Sequence, residues 1–153
     1  TVTTDGGRGS IYDPEIRSVS SQVIPFDDQW PWMRLLEFIA QVNDDFHRYS
    51  LWGIPTHDRP SVLRYDARSA DHFRPHQDAG PTSSTRRLTY VVQLSSPDAY
   101  RGGDLLIGAG HTPQPRRQGS VIVFPSFATH LVTPVVAGVR HVLVGWLHGE
   151  ALR

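Results

Sequence analysis

Three side chains in this sequence have the types and spacing of metal ligands. His76 and Asp78 are separated by one residue in the segment 73–78, and alternate residues of a β-strand point to the same side. His130 follows the apolar stretch 121–124 and can supply a third ligand from a distant strand. Two imidazoles and one carboxylate on one side of a metal leave coordination positions free for reacting molecules. Chemistry at a bound metal is therefore the first activity that the residues predict.

A basic residue follows the last of these ligands along an apolar strand. Arg140 lies ten residues after His130, and strand alternation places it on the same face as Trp146. A guanidinium buried in such a strand is costly unless it meets an anion, and its planar fork suits a carboxylate. Two partners are open at this point. One is an internal aspartate such as Asp66 or Asp104, and the other is the carboxylate of a bound ligand.

The remaining histidines offer weaker alternatives. His72 and His76 are four residues apart, as in a helical zinc motif, but Pro75 would break that helix and no glutamate lies between them. His141 is predicted to point to the opposite face of its strand from Arg140, which favours a structural role.

The order of these residues resembles that of the 2-oxoglutarate/iron(II) dioxygenases, and within them the prolyl-4-hydroxylase-like group. Tyr65, eleven residues before His76, resembles the tyrosine that faces the cosubstrate in that group. Further matching stretches lie at 87–95, 100–105 and 119–125, so that the resemblance covers about residues 61–149. The segment 66–72 departs from the pattern because it lacks the usual glycine.

This resemblance implies a set of cofactors and a role for each residue. Iron(II) would be held by His76, Asp78 and His130. The cosubstrate 2-oxoglutarate would be bound by Arg140 and Tyr65, with Gln93 as a weaker candidate. Dioxygen would complete the reaction, the hydroxylation of an aliphatic C–H bond with release of succinate and CO₂.

The substrate that the resemblance implies is an amino acid, a peptidyl residue or a small specialised metabolite. Arg74, Arg86 and Trp146 are weaker candidates for binding it. Asp78 favours hydroxylation, because related halogenases carry a small residue there, while desaturation and ring closure stay open. The alternative function is a cupin-like metal-binding protein or a non-oxidative metalloenzyme on the same fold.

The elements that must position these residues follow from the hydrophobic pattern. From residue 61 the period changes to two, which is typical of strands, whereas an amphipathic helix is expected between residues 30 and 50. Asp27, Asp28 and Pro31 mark its start. The predicted strands are Ser61–Tyr65, Phe73–Asp78, Arg87–Leu94, Leu105–Ile107, Val121–Phe124, His130–Val132 and Val139–Leu147.

These elements predict a mainly β protein with supporting helices (α+β). Seven short strands separated by turns predict a β-sandwich or a jelly-roll, and the resemblance implies the double-stranded β-helix, the jelly-roll of the cupins. A single domain, 1–153, would comprise an extended and helical support at 1–60 and the core at 61–149.

Composition narrows the function classes further. The sequence has no cysteine and no lysine, which excludes thiolate nucleophiles, cysteine-held metals and Schiff-base chemistry. A formal net charge of +0 gives no support for nucleic acid or an anionic membrane as partner. We expect a small-molecule or peptidyl substrate, a possible homodimer and a cytoplasmic location.

Overall fold

The computed structural model describes residues 15–25 and 30–151, and most of them lie in antiparallel strands. One α-helix, α1 (Trp30–Val42), continues into a single π-helical turn (Asn43–His47). The strands are β1 (Arg17–Ser18), β2 (Ser20–Val23), β3 (Leu51–Gly53), β4 (Ser61–Asp66), β5 (His72–His76), β6 (Arg86–Gln93), β7 (Tyr100–Gly102), β8 (Leu105–Ile107), β9 (Thr112–Pro113), β10 (Val121–Pro125), β11 (His130–Val132) and β12 (Val135–Gly149).

The strands form two antiparallel sheets that enclose the main core. The smaller sheet has the order β1-β5-β11-β8-β9, and the larger one has the order β10-β6-β12-β4-β2, with β3 and β7 also paired to β12. Side chains from both sheets meet in one apolar cluster, among them Tyr65 of β4, Val132 of β11 and Val142 of β12. This arrangement confirms the predicted double-stranded β-helix. The division into a support at 1–60 and a core at 61–149 stays a prediction.

The longest strand, β12, is covered on both faces, which explains why its sequence is apolar almost throughout. Arg140 and Val142 are 1% exposed and point to the interior, whereas Leu143 and Leu147 join a second cluster on the outer face. The strand begins four residues earlier and ends two residues later than predicted. Because it pairs with both β6 and β4, it fixes the register of the larger sheet.

The outer face of this sheet is covered by α1. Ile39 is fully buried there, and Leu35 and Leu36 pack beside it. The predicted helical face does not continue to its end, however, because the chain changes to a π-helical turn at Asn43. A π-turn accommodates an extra residue and rotates the side chains beyond it, so Phe46 is 77% exposed.

The predicted start of the helix at Asp27 and Asp28 lies outside the described residues. Within 15–25 and 30–151, no helix is both long enough and apolar enough to cross a membrane.

The strand that carries the first predicted ligand is shorter than the sequence indicates. β5 ends at His76, so Asp78 lies beyond its end instead of on the strand. The backbone N–H groups of Asp78 and Ala79 both donate to the Ser126 carbonyl, each at 2.9 Å. The expectation that strand alternation alone aligns His76 with Asp78 is therefore wrong, because a loop anchored to Ser126 presents the carboxylate.

Truncation of the buried helix residue tests the packing of α1. Ile39→Ala is expected to lower the free energy of unfolding by about 2–5 kcal/mol, because it removes buried methyl groups and leaves a cavity. The neighbouring Phe38 is 47% exposed, so Phe38→Ala serves as the control, with an expected loss below about 1 kcal/mol. Urea unfolding measures both, and equal losses would contradict the assigned orientation of the helix.

Candidate metal centre

The three predicted ligands meet at one point between the sheets. His76 at the end of β5 and His130 at the start of β11 are directly opposed across an antiparallel pair. The Asp78 carboxylate lies between them, with Oδ1 3.5 Å from His76 Nε2 and Oδ2 3.5 Å from His130 Nε2. The three ligand atoms lie within 4.8 Å of one another, and residues 15–25 and 30–151 contain no other such group of three or more.

The imidazole rings are already in the tautomer that a metal requires. Nδ1 of His76 lies 2.8 Å from the Arg74 carbonyl, and Nδ1 of His130 lies 3.0 Å from the Ala128 carbonyl. A carbonyl oxygen only accepts, so each Nδ1 must carry the proton and donate it. Each Nε2 is then left with its lone pair facing the centre, as in metal-binding histidines.

The Asp78 carboxylate is buried and held as an anion. Burial by itself raises the pKa of Asp78, but the adjacent imidazoles of His76 and His130, in their protonated form, and the hydroxyl of Thr89 outweigh it and keep the pKa well below its ordinary range. The Thr89 hydroxyl donates to Oδ2 at 2.8 Å. The ligand is therefore ionised over the whole neutral range.

The second buried charge, Arg140, has no carboxylate partner among the described residues. Its side chain is 1% exposed, Nη2 donates to Gln93 Oε1 at 3.1 Å, and Nε has no hydrogen-bond partner there. The two aspartates that the sequence offered as its partners are otherwise engaged. Asp66 pairs with Arg64 and Arg68, and Asp104 pairs with Arg116. A buried guanidinium left in this condition fits an external carboxylate.

Two further predicted residues adjoin Arg140. Tyr65 lies opposite it on β4, 2% exposed, with its ring centroid 5.4 Å from the guanidinium carbon. Burial raises the pKa of Tyr65, so its hydroxyl is a neutral hydrogen-bond donor. Gln93 uses Oε1 for Arg140 and donates from Nε2 to the Pro115 carbonyl. It thus orients the arginine, and one of its two amide N–H donors is used by Pro115; its role toward the cosubstrate stays a prediction.

The weaker substrate candidates occupy three different environments. Arg74 is exposed on β5. Arg86 forms an ion pair with Asp58 at 2.6 Å and lies over the indole of Trp146, 3.5 Å from the ring. Trp146 lies opposite Thr89 on the inner face, beside the metal ligands.

Sequence reasoning missed the side chains that support the aspartate ligand. Thr89 bonds to both Asp78 and the hydroxyl of Ser126, which is fully buried. Thr89 could have been identified from the alternation of β6, which places it on the same inward face as Gln93. Nothing in the local pattern of Ser126 identifies it, because its role depends on a contact between two loops.

Comparison with known proteins identifies the family. Residues 60–148 match the family model of the 2OG-Fe(II) oxygenase superfamily, which is more than half of the 153 residues. The chain belongs to this superfamily. Its name specifies Fe(II) and 2-oxoglutarate, and the donor set and the unpaired arginine fit both.

The curated relatives are longer than this chain. A PKHD-type hydroxylase from a Synechococcus strain is 43% identical over 91 residues, covering 57% of this chain and 41% of the relative. A second one from Maricaulis maris is 35% identical over 101 residues, covering 64% and 45% respectively. The chain thus spans less than half the length of these relatives.

Solved structures show the same fold. A prolyl-4-hydroxylase from Pseudomonas putida is 19% identical with a TM-score of 0.70, covering 92% of this chain and 77% of that one. A prolyl hydroxylase from Trichoplax adhaerens, in complex with a peptide fragment of the hypoxia-inducible factor oxygen degradation domain, is 19% identical with a TM-score of 0.73, covering 94% and 70%. These neighbours confirm the fold that the resemblance implied, while the narrower assignment to the prolyl-4-hydroxylase-like group stays a prediction.

Metal affinity is expected to depend on pH through the imidazoles. Burial lowers the pKa of His130, against the opposing effect of Asp78, and the low pKa of Asp78 keeps that ligand ionised. Affinity should be constant from pH 8 to 7 and then fall as protons compete for imidazole, becoming roughly ten- to hundredfold weaker at pH 5. Titration with Co(II) at each pH measures this, with circular dichroism as the check on folding. Equal affinity at pH 7 and 5 would contradict two histidine ligands.

Proposed function

We propose that this chain is an Fe(II)/2-oxoglutarate-dependent dioxygenase that hydroxylates an aliphatic C–H bond of an amino acid, a peptidyl residue or a small specialised metabolite. In the balanced reaction, substrate, 2-oxoglutarate and O₂ give hydroxylated substrate, succinate and CO₂. Family membership supports the reaction class. The observation that carries the proposal is the fully buried Arg140, unpaired with any carboxylate of the described residues, in the same interior as the three ligands.

The ligands and the arginine have separate roles in this proposal. His76, Asp78 and His130 would hold iron, with their donor atoms already oriented by the Arg74 and Ala128 carbonyls and by Thr89. With iron(II) and 2-oxoglutarate bound, O₂ would be activated to break an unactivated C–H bond, and 2-oxoglutarate would supply two of the four electrons that reduce it.

The remote carboxylate of the cosubstrate would lie against Arg140. Its guanidinium is held by Gln93, so a carboxylate meets a donor that is already fixed in place. The Tyr65 hydroxyl, neutral because burial raises its pKa, can donate a second hydrogen bond. Core side chains such as Leu63 and Val142 surround this part of the interior and exclude water, which strengthens the ion pair.

The substrate would approach from the side where the ligands lie near the surface. The His76 side chain is 18% exposed, whereas Arg140 on the opposite sheet is 1% exposed. One fold neighbour was solved with a peptide fragment, which supports a peptidyl substrate among the candidates. The predictions of a homodimer, of no nucleic-acid partner and of a cytoplasmic location stay predictions.

Replacement of the buried arginine tests the cosubstrate site. Arg140→Ala should weaken 2-oxoglutarate binding at least about 30-fold, because a buried charge partner is worth about 2–5 kcal/mol, while Co(II) binding is retained. Anaerobic titration of the metal-loaded chain measures the first quantity. Arg101→Ala, on the exposed surface of β7, is the matched control. Unchanged 2-oxoglutarate affinity in Arg140→Ala would contradict the assignment.

Succinate formation tests the reaction itself. The native chain with iron(II), 2-oxoglutarate and O₂, supplied with a pool of amino acids and peptides, is expected to form succinate, and His130→Ala is expected to form none. Circular dichroism should show that the variant keeps its β structure. Turnover by His130→Ala would exclude His130 as a ligand. Metal binding without 2-oxoglutarate binding in the native chain would favour the cupin-like alternative.

A further inference from the structure

Arg86, the first residue of β6, makes contacts that the proposed reaction does not use. Its Nε donates to Asp58 Oδ2 at 2.6 Å, and its Nη2 donates to Asp58 Oδ1 at 2.7 Å. The two parallel N–H···O bonds form a bidentate ion pair, which fixes the orientation of the guanidinium relative to the carboxylate. The side chains are 18% and 14% exposed, so the pair is better shielded than an ordinary surface salt bridge.

The remaining edge and face of the guanidinium are directed at the metal centre. Nη1 donates a long hydrogen bond of 3.3 Å to the backbone carbonyl of Asp78. The guanidinium carbon lies 3.5 Å from the centre of the Trp146 ring, a close cation–π contact. The N–H of that indole is buried and has no hydrogen-bond partner among the described residues, and Trp146 lies opposite Thr89, which donates to the Asp78 carboxylate.

The other end of this group is anchored in the larger sheet. Asp58 Oδ2 also accepts a hydrogen bond of 2.9 Å from His148 Nε2, and the second ring nitrogen of His148 bonds to the Thr85 hydroxyl at 2.9 Å. His148 is 2% exposed on β12. Arg86 and His148 are also opposed across the β6–β12 pair. Asp58 is therefore fixed from two sides.

Asp78 needs such support because it lies beyond the end of β5. The N–H groups of Asp78 and Ala79 are held by the Ser126 carbonyl, and the Asp78 carbonyl, which shares a peptide group with the Ala79 N–H, receives the bond from Arg86. Without the Arg86 contact, this peptide group is held only at its N–H and can turn about that bond. A turn of that kind would move the carboxylate relative to the two imidazoles.

We propose that Arg86 is a positioning residue for the metal ligand Asp78, anchored by Asp58 and His148 and acting through the backbone carbonyl of Asp78. This inference rests on the proposed function, since it takes the three ligands to bind a metal. It also gives Arg86 a role other than receiving a substrate carboxylate, because Asp58 already occupies that edge. Loss of outer-shell partners of a metal ligand costs roughly 10- to 100-fold in metal affinity.

The chain contains a matched control for this arrangement. Arg116 donates from Nη1 to Asp104 at 2.6 Å, lies 4.3 Å from the Tyr100 ring and bonds to two backbone carbonyls. It reproduces the ion pair, the stacking and the backbone contact of Arg86. None of these contacts involves the three ligands.

The test compares Arg86→Lys with Arg116→Lys. Lysine keeps the charge but loses the fork and the planar face. Using Co(II) as the probe under anaerobic conditions, Arg86→Lys is expected to bind at least about tenfold more weakly than the native chain and to change the visible absorption bands of the bound cobalt. Arg116→Lys should leave the affinity and the bands unchanged. Urea unfolding of both variants measures the purely structural contribution.

Three results would overturn the proposal. They are native affinity and bands in Arg86→Lys, an equal loss in both variants, or a native chain that does not bind Co(II). The last result alone would also refute the proposed function, which separates the two failures. Asp58→Asn provides a second variant that leaves Arg86 in place but weakens its anchor. It should lower the affinity in the same direction by a smaller factor, and unchanged affinity would refute the anchoring role.

Discussion

Burying charged groups in an apolar core costs free energy, and this cost determines which partners the interior side chains of this structure require. Asp78 and Arg140 both lie in the interior, yet neither neutralises the other. The carboxylate lies between two imidazoles and accepts a hydrogen bond from a threonine hydroxyl, whereas the guanidinium has only an amide oxygen. A folded chain tolerates such an imbalance only where a ligand supplies the missing charge. The fold and the proposed reaction are connected in this way, because the strands that enclose the core bury Arg140 without a carboxylate and so favour the binding of a ligand that carries one.

Much of the fold and of the site could be predicted from the sequence because both depend on alternation. The strands Leu105–Ile107 and His130–Val132 occur with the predicted bounds. Parity along β12 correctly placed Arg140 in the interior. The three ligands were predicted from residue type and spacing, and the structure brings their donor atoms together.

The features that could not be predicted depend on contacts between distant segments. Alternation cannot show that β5 stops at His76, because the end of the strand is set by hydrogen bonds from Asp78 and Ala79 to Ser126. The exposure of Phe46 results from a π-helical turn, which the helical period of the sequence does not indicate. Arg86 contacts Asp58, which lies 28 residues before it in the chain, and the more distant Trp146. Its contacts are therefore determined by the fold and not by its neighbours in the sequence.

The two-sided character of β12 has a consequence for how this chain can change over evolutionary time. Arg140 and Leu143 lie on opposite faces of one strand that is paired along both edges. Insertion or deletion of a single residue between Arg140 and Trp146 would turn every side chain beyond that point to the opposite face of the strand. The indole would then point away from the ligands, and leucines of the outer face would point into the interior. A change in the length of this segment would therefore disturb the inner and the outer face together, whereas most substitutions in it would affect only one face. The turn at 108–111 has no such restriction, so variation in length is expected to accumulate there.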